Sequence, residues 1–459
     1  MTTIEYSQQI PIIDEAQTLV FGGGPAGIGA AVGAARNGSD TLLVERFGFL
    51  GGNATASLVG PFMTSFSHDG KRQIIGGVFD ELVRRMAKND AAIHPSEVRA
   101  GSSYSGFRTF GHDHVTPFDP EIMKMESLSL VADAGARLRL HTSFVDVIPQ
   151  DDGSWLAIVF GKGGMKAIRG QNLVDCTADA DVAVSAGVDT EVGRSADGLT
   201  QPMTLFFRVA NVDGEAVQRY LDDHPEEGEK PFSTLIERAR ERGEFDIPRD
   251  KIGIYETPTP GVWRVNTTRI QRLSGLDPAE LTQAEVEGRR QVAQLVRFFR
   301  TYMPGFEQVA LLDTAAQIGV RETRRIVGEY VLNDEDVLSG RSFPDTIAWN
   351  AYPMDVHSPT SDGGGATFAI DKADELPDHH EIPFGCLLPA AVDGVVVAGR
   401  CISATHEALG AVRVMPPSFA MGQAAGTAAA LSLRAGQELR HIDRQHLRET
   451  LMSQGAILE

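Results

Sequence analysis

The pattern of apolar and polar positions at the start of the chain predicts a strand, a helix and a second strand. Residues 18–21 form a short apolar run typical of a buried strand, and the alanine-rich segment 28–36 predicts a helix. Gly38 stands where this helix would end and is typical of a helix C-terminus. Residues 41–44 predict a second buried strand, which ends at Glu45. The order indicates a βαβ unit.

The pattern along the rest of the chain changes twice. Up to residue 200 it predicts helices at 78–86 and 120–134, the second with Asp119 as its N-cap. It also predicts strands at 137–140, 144–148, 155–160 and 172–175. It then predicts a strand at 203–209, charged helices at 214–222, 233–242 and 282–302, and a loop at 355–381. It finally predicts a buried strand at 394–398 and a helix rich in small residues at 417–433, which resemble the elements at the start of the chain. We therefore predict an α/β chain with one discontinuous domain, 12–200 and 384–459, and an inserted domain at 201–383.

Composition and charge exclude several classes of protein. The 459 residues hold 42 Lys and Arg against 62 Asp and Glu, and the formal net charge of −20 argues against nucleic acid or an anionic membrane as main partner. Cys176, Cys386 and Cys401 form no paired motif, so no dithiol and no metal site is indicated. With no signal peptide or membrane-spanning run evident, we expect a cytoplasmic protein with a small-molecule substrate. Monomer and homo-oligomer both stay open.

A glycine cluster after the first strand carries the clearest chemistry. Gly22 permits a tight turn, Gly24 permits close approach of a pyrophosphate, and Gly27 permits close packing of helix on strand. The helix that starts at Pro25 and Ala26 directs its positive end at the same phosphates. The cluster fits the G-x-G-x-x-G pattern of dinucleotide-binding folds in the expected context of strand, turn and helix. The alternative interpretation is a structural turn without a ligand.

Two neighbouring segments extend this site. Glu45 ends the second strand 23 residues after Gly22 (45 − 22), where a carboxylate can accept hydrogen bonds from a ribose. Arg46 follows it, and after a short interval come small residues that let the backbone and the Thr55 hydroxyl approach a second part of a cofactor: Gly51, Gly52, Asn53, Ala54 and Thr55. The βαβ unit alone would serve NAD as well as FAD.

The C-terminal region favours FAD. It supplies a strand, Gly399 and Arg400, a loop, and then a helix that begins near Pro416. The positive end of that helix would stabilise the negative charge of a reduced flavin at its N1–C2=O edge. The residues that would contact the flavin there are Arg413, Met415, Pro416 and Ser418.

These motifs together resemble the FAD-dependent oxidoreductases of the glutathione-reductase-like superfamily, and more closely a broad group of bacterial flavoproteins. The matching segments span the chain: 22–38, 42–55, 117–124, 173–187, 318–332, 352–357 and 395–430. The resemblance implies a Rossmann-like, discontinuous FAD-binding domain with an inserted α+β substrate or cap domain. It implies FAD as cofactor and does not fix a substrate.

The resemblance also places a further group of residues near the cofactor. Asp179 stands where the family has an acidic turn, although Ala178 and Ala180 replace the glycines usual there. Val145 resembles the position whose backbone meets the adenine. Arg400 occupies a position where many relatives carry an acidic residue for the ribityl chain, so a carboxylate contact cannot be transferred here.

Four residues are candidates for substrate chemistry. The charged run 321–325 lies between apolar residues, and it either forms an internal salt-bridge network or presents Arg321 or Arg324 to an acidic substrate group. His357 could take a proton from a substrate hydroxyl or amine, and so could His406 beside Glu407. For each histidine a structural role is the alternative.

The leading hypothesis is a flavin-dependent dehydrogenase or oxidase. A small organic substrate would give a hydride to flavin N5, and a second acceptor, whether oxygen, a quinone or a protein, would reoxidise the flavin. The alternatives are a flavin-dependent monooxygenase and a non-redox FAD-binding protein. No second G-x-G-x-x-G unit for NAD(P)H is visible, which argues against a built-in reductase without excluding transient NADH binding.

Overall fold

The computed structural model describes residues 3–360, 366–367 and 376–459. The strands in these ranges are β1 (Ile12–Phe21), β2 (Thr41–Val44), β3 (Arg137–Arg139), β4 (Thr142–Pro149), β5 (Trp155–Gly161), β6 (Gly164–Asp175), β7 (Thr190–Val192), β8 (Phe207–Ala210), β9 (Ile254–Glu256), β10 (Trp263–Val265), β11 (Ala310–Thr314), β12 (Arg324–Ile326), β13 (Thr346–Asn350), β14 (Asp355–Val356), β15 (Ala366–Thr367), β16 (His380–Pro383) and β17 (Val395–Val397). The α-helices are α1 (Pro25–Arg36), α2 (Gly77–Ala87), α3 (Pro120–Asp133), α4 (Asp181–Ser185), α5 (Gly214–Asp223), α6 (Ser233–Glu241), α7 (Pro278–Tyr302), α8 (Asp334–Ser339), α9 (His406–Val412), α10 (Met415–Ala435) and α11 (Arg444–Ser453).

A seven-stranded sheet forms the centre of the first unit. Its order is β3-β2-β1-β6-β5-β4, and β17 also pairs with β6. The pairs β1–β2, β1–β6, β2–β3 and β6–β17 are parallel. The pairs β4–β5 and β5–β6 are antiparallel. β6 can hold two partners on one edge because its first part pairs with β5 and its last three residues pair with β17. The late strand β17 therefore completes the sheet that β1 begins, which confirms the predicted discontinuous Rossmann-like fold.

Helices α1 and α10 pack against each other along a seam of small residues. A Cβ on Gly422 would lie 1.9 Å from the carbonyl oxygen of Ala26, and one on Gly426 would lie 1.9 Å from that of Ala30. The converse holds on α1, where a Cβ on Gly29 would lie 2.3 Å from the Phe419 carbonyl oxygen. Real Cβ atoms do not approach so closely, so only glycine allows the two backbones to come into contact.

A second unit has its own hydrophobic core. The antiparallel sheet β11-β8-β10-β9 packs with α5, α6 and α7 around buried side chains between Met203 and Ile318. Trp263, Phe207 and Phe299 are among its fully buried residues. This mixed sheet-and-helix unit is the α+β insertion that the sequence predicts.

Local signals placed most helices correctly, with corrections at two places. Asp119 caps α3 by accepting hydrogen bonds from the Glu121 and Ile122 amides, as predicted. α7 begins at Pro278 instead of residue 282, because Asp277 caps it one turn earlier. The predicted loop at 355–381 contains the β14–β15 pair and the start of β16, while 361–365 and 368–375 lie outside the described residues.

The domain boundaries stay a prediction. Side chains between Leu332 and Met354 are buried in the first core and not in the second. Their burial favours a return of the chain to the first unit before residue 383. Among the described residues, no helix combines the length and the apolarity needed to cross a bilayer.

The α1–α10 seam makes a testable prediction about stability. Gly422→Ala places a Cβ against the Ala26 carbonyl, so α10 must shift outward, and we expect the free energy of unfolding to fall by about 1–3 kcal/mol. Chemical denaturation measures the change. Gly214→Ala at the start of α5 is the matched control, because its Cβ would make an ordinary 3.4 Å contact with Trp263. Equal unfolding midpoints for Gly422→Ala and the wild type would contradict the described packing.

Candidate functional site

A cavity of about 500 Å³ lies between the glycine turn after β1 and the second unit. Its wall draws on both units and on the C-terminal segment. The cofactor residues that the sequence predicts and that line this cavity are Gly22, Gly24, Pro25, Ala26, Glu45, Arg46, Gly52, Asn53, Ala178, Asp179, Gly399, Arg400, Arg413, Met415 and Ser418. Residues from four distant parts of the chain thus meet in one place.

The glycine turn leaves room where a phosphate would lie. Gly24 caps α1, and a Cβ added to it would meet only the Gly52 Cα atom, at 3.7 Å. Gly22 has a φ of +94°, and a Cβ there would strike the Cys176 carbonyl oxygen at 2.4 Å. The turn therefore needs Gly22 for its shape, while Gly24 and Gly52 leave an open surface at the N-terminus of α1. This cradle fits the pyrophosphate of a dinucleotide.

Glu45 is held by backbone amides at the edge of this cradle. Its carboxylate accepts hydrogen bonds from the Gly23 amide at 2.5 Å and from the Phe47 amide at 2.8 Å. Glu45 is only 6% exposed, yet it lines the cavity. A fixed carboxylate at this position is suited to a ribose hydroxyl.

The acidic turn after β6 is shaped by a residue that the sequence did not single out. Buried Asp175 accepts hydrogen bonds from the amides of Thr177 and Ala183, both at 2.9 Å. Arg400 donates to Asp179 at 2.6 Å and to the Ala178 carbonyl at 3.1 Å, so it ties the turn to the end of β17. Burial, followed by the charges of Asp179 and Asp175, raises the pKa of Asp181 to about 6.

The N-terminus of α10 also faces the cavity. Val414 is its N-cap, and Val414, Met415 and Ser418 line the wall. The Ser418 hydroxyl donates to the Val414 carbonyl at 2.9 Å. Arg413 also lines the cavity, and it donates to the Asp355 carbonyl at 2.9 Å. The positive end of α10 is therefore presented to the cavity, as the sequence predicts.

The remaining predicted cofactor residues do not line the cavity: Gly27, Gly51, Ala54, Thr55, Val145 and Pro416. Gly27 serves packing, because a Cβ there would lie 1.7 Å from the Gly22 carbonyl oxygen. The Thr55 hydroxyl donates to the Leu50 carbonyl at 2.8 Å and so stabilises the turn. The Val145 side chain is 46% exposed, and the neighbouring residues 142–144 form the wall instead.

His357 and Asp355 form a dyad in the wall of the same cavity. His357 Nε2 lies 3.0 Å from Asp355 Oδ2, and both residues line the wall. If Nε2 donates to the carboxylate, Nδ1 is left as an acceptor, and it has no hydrogen-bond partner among the residues that the structure describes. Burial lowers the pKa of His357 well below its usual range, with Arg321 acting in the same direction and Asp355 opposing. The lowered pKa of His357 favours the neutral imidazole.

Cations surround this dyad. Arg108, Arg249, Lys251, Arg321 and Arg413 all line the same cavity. Burial lowers the pKa of Lys251 to about 8 and that of Arg249 to about 10, and it also lowers the pKa of Arg321 well below its usual range. Of these residues the sequence analysis assigned only Arg321 to the substrate and Arg413 to the cofactor. The others come from distant segments, so no spacing in the sequence links them.

The run 321–325 divides between the two interpretations. Arg321 faces the cavity, where it donates to the Pro202 carbonyl at 2.5 Å and to the Thr204 hydroxyl at 2.7 Å. Arg324 pairs with Asp181 at 2.5 Å, and Arg325 pairs with buried Glu322. Glu322 also accepts from His406 Nδ1 at 2.9 Å. His406 does not line the cavity, so this candidate base belongs to an internal charge network.

The sheet, the glycine cradle and the cavity define an α/β dinucleotide-binding protein. Residues 17–451 match the model of the FAD dependent oxidoreductase family, and the chain belongs to that family. FAD is its cofactor. No curated protein matches the chain.

Solved structures with a similar fold share little sequence with this chain. p-Nitrophenol 4-monooxygenase from Pseudomonas putida is 12% identical, with a TM-score of 0.48, over 96% of this chain and 84% of that chain. A geranylgeranyl bacteriochlorophyll reductase-like protein from Thermoplasma acidophilum is 14% identical, with a TM-score of 0.46, over the same shares of the two chains. Anhydrotetracycline hydroxylase from Streptomyces rimosus is 12% identical, with a TM-score of 0.40, over 95% of this chain and 65% of that chain.

The cradle predicts how one substitution acts on cofactor content. Gly24→Val fills the open surface next to Gly52, and we expect FAD affinity to fall at least about tenfold, a loss of roughly 1.4 kcal/mol. The ratio of flavin to protein absorbance after gel filtration measures it. Thermal unfolding of the two FAD-free proteins is the control, and their midpoints should agree. Full flavin content in the variant would show that the phosphates lie elsewhere.

Proposed function

We propose that this flavoprotein is a dehydrogenase or oxidase that oxidises a small organic substrate. The observation that supports it is the His357–Asp355 dyad, which lies in the same cavity as the glycine cradle. The cavity-lining residues from the cradle, the acidic turn and the start of α10 are proposed to hold FAD. When bound, FAD supplies the acceptor of a hydride at its N5 atom.

The chain itself supplies the acceptor of the accompanying proton. Oxidation of an alcohol or amine breaks one C–H bond, whose electron pair leaves with the hydrogen as hydride, and releases one proton from oxygen or nitrogen. In the proposed reaction His357 Nδ1 takes that proton, because Nε2 is engaged by Asp355. Asp355 fixes the orientation of the ring and favours the protonated form. Its own position is fixed by Arg413 and by the Tyr352 hydroxyl, at 3.4 and 3.3 Å.

Removal of the imidazole tests this role. His357→Ala should slow reduction of the flavin under anaerobic conditions by about 100-fold or more, while FAD stays bound. Stopped-flow absorbance with a panel of alcohols, 2-hydroxy acids and amino acids measures the rate. His441→Ala is the matched control, because that histidine is 67% exposed and lies outside the cavity. Unchanged kinetics in His357→Ala would remove the dyad from the mechanism.

The same measurement separates the proposal from a monooxygenase. A dehydrogenase or oxidase is reduced by the substrate alone. A monooxygenase needs NAD(P)H or another reductant first and then consumes oxygen in proportion to substrate. Flavin that bleaches only when a reductant is added would overturn the proposed reaction.

A further inference from the structure

Three cations that line the cavity have no acidic partner among the described residues. In the part of the chain that the structure describes, no carboxylate lies within ion-pair distance of Arg249, Lys251 or Arg321. Arg249 is only 4% exposed, and its Nε atom has no hydrogen-bond partner there. Each of the three side chains lines the cavity. They form what we call the cationic cluster, defined as Arg249, Lys251 and Arg321.

The other charges in this region are already balanced. Arg108 lies 3.6 Å from Glu229, and Arg413 lies 3.4 Å from Asp355. Asp250, next to Lys251 in sequence, is paired with Lys230 at 3.0 Å. Among the described residues, this leaves the cationic cluster with three positive charges (five cations less Arg108 and Arg413).

Uncompensated buried charge is unfavourable unless a ligand neutralises it. Desolvated cations that repel one another weaken the folded state, so a protein keeps them where they bind something. The members of the cluster do repel one another, because Arg249 disfavours the charge on both Lys251 and Arg321. The cluster also comes from separate segments: the loop before β9 supplies Arg249 and Lys251, and the segment before β12 supplies Arg321.

We propose that the cationic cluster binds a small substrate that carries at least two negative charges, such as an organic dicarboxylate or a phosphate ester. A dianion would reduce the three charges to one, whereas a monoanion would leave two. Guanidinium groups bind carboxylates and phosphates with the same paired N–H geometry, so the shared chemistry is a compact oxyanion. The inference rests on the proposed function only for placing the oxidised carbon beside His357.

The FAD phosphates do not account for this cluster. The proposed phosphate site is the glycine cradle at the N-terminus of α1, which belongs to the first unit. Arg249 and Lys251 lie outside the dinucleotide fold, on the unit of the antiparallel sheet. The ligand of the cluster is therefore a second molecule.

A binding experiment on the FAD-loaded protein tests this without turnover. Succinate, inorganic phosphate and acetate are titrated against the flavin absorbance spectrum, and isothermal titration calorimetry gives Kd independently. Succinate or phosphate should bind more tightly than acetate by about tenfold or more, and Arg249→Met should weaken that binding by about 10- to 100-fold. Preference for succinate indicates a dicarboxylate and preference for phosphate indicates a phosphate ester. Equal binding of all three, or no binding, overturns the proposal.

Thermal unfolding separates a ligand role from a structural one. Because Arg249 makes no side-chain hydrogen bond in the described structure, Arg249→Met should leave Tm unchanged or raise it without added anion. Succinate or phosphate should raise the Tm of the wild type and not that of the variant. Arg238→Met on the exposed face of α6 is the matched control for loss of a positive charge. A large drop in Tm in Arg249→Met would show that the residue is structural and overturn the proposal.

The two proposals fail separately. Anion binding that depends on Arg249, with no reduction of the flavin by any hydroxy or amino dianion, counts against the proposed reaction alone. Flavin reduction that needs His357 but proceeds equally well with neutral alcohols counts against the dianion alone.

Lys251 gives the binding a predicted pH dependence. Its pKa of about 8 is lowered by burial and by Arg108 and Arg249, and is opposed by Asp355 and Asp250. A lysine is charged below its pKa, so Kd for the dianion should be constant up to about pH 8 and then rise by about tenfold per pH unit, as one proton is lost. Lys251→Arg keeps the charge and should remove this rise between pH 8 and 9.5. A rise that persists in that variant would assign the titration to another group.

Discussion

The backbones of α1 and α10 are in contact because glycines of each helix face carbonyl groups of the other, and this contact positions the C-terminal part of the site. Gly422 and Gly426 lie over Ala26 and Ala30 with no space for a Cβ. The C-terminal segment therefore has one depth at which it can dock on the first βαβ unit. At that depth the start of α10 faces the cavity and Arg413 reaches Asp355. A larger residue in the seam would move the start of α10 away from the cavity and would also move Arg413 away from Asp355.

The cavity wall contains two groups of residues with different chemistry, and the net charge of the whole chain does not reveal the difference. One part of the wall consists of the glycine cradle, Glu45 and the turn stabilised by Asp175. It presents backbone amides and fixed carboxylates, which suit a dinucleotide. Around the His357–Asp355 dyad, cations outnumber carboxylates, although the whole chain has a formal net charge of −20. Surface charges more than about 8 Å from a ligand are screened at physiological salt, while buried pairs are screened much less. We therefore expect the few cations inside the cavity to determine the charge of the substrate that binds.

Sequence reasoning succeeded where a few neighbouring residues determine a feature. The turn at Gly22, the N-cap Asp119 and the helix start near Pro416 each depend on local backbone preferences, and the structure has all three features. It could not identify Asp355, Arg249 and Lys251 as a group, because tertiary packing brings together segments that lie about 100 residues apart. The two histidines show the same limit. His357 and His406 are equivalent candidates in the sequence. Only the structure shows that His406 is buried beside Glu322 and does not line the cavity, whereas His357 does.

The cationic cluster and the dyad depend on each other electrostatically. Arg321 and Arg249 oppose protonation of His357, and burial opposes it more strongly. In the proposed complex a dianion lies against the same guanidinium groups and cancels part of their field at the imidazole. The proton affinity of His357 then rises when the substrate is bound and falls again when it leaves. Because a base with too low a pKa accepts a proton poorly, the substrate's own charge would bring His357 towards the range useful for proton transfer. A neutral substrate of the same shape would lack this effect, which links specificity for charge to the rate of the chemical step.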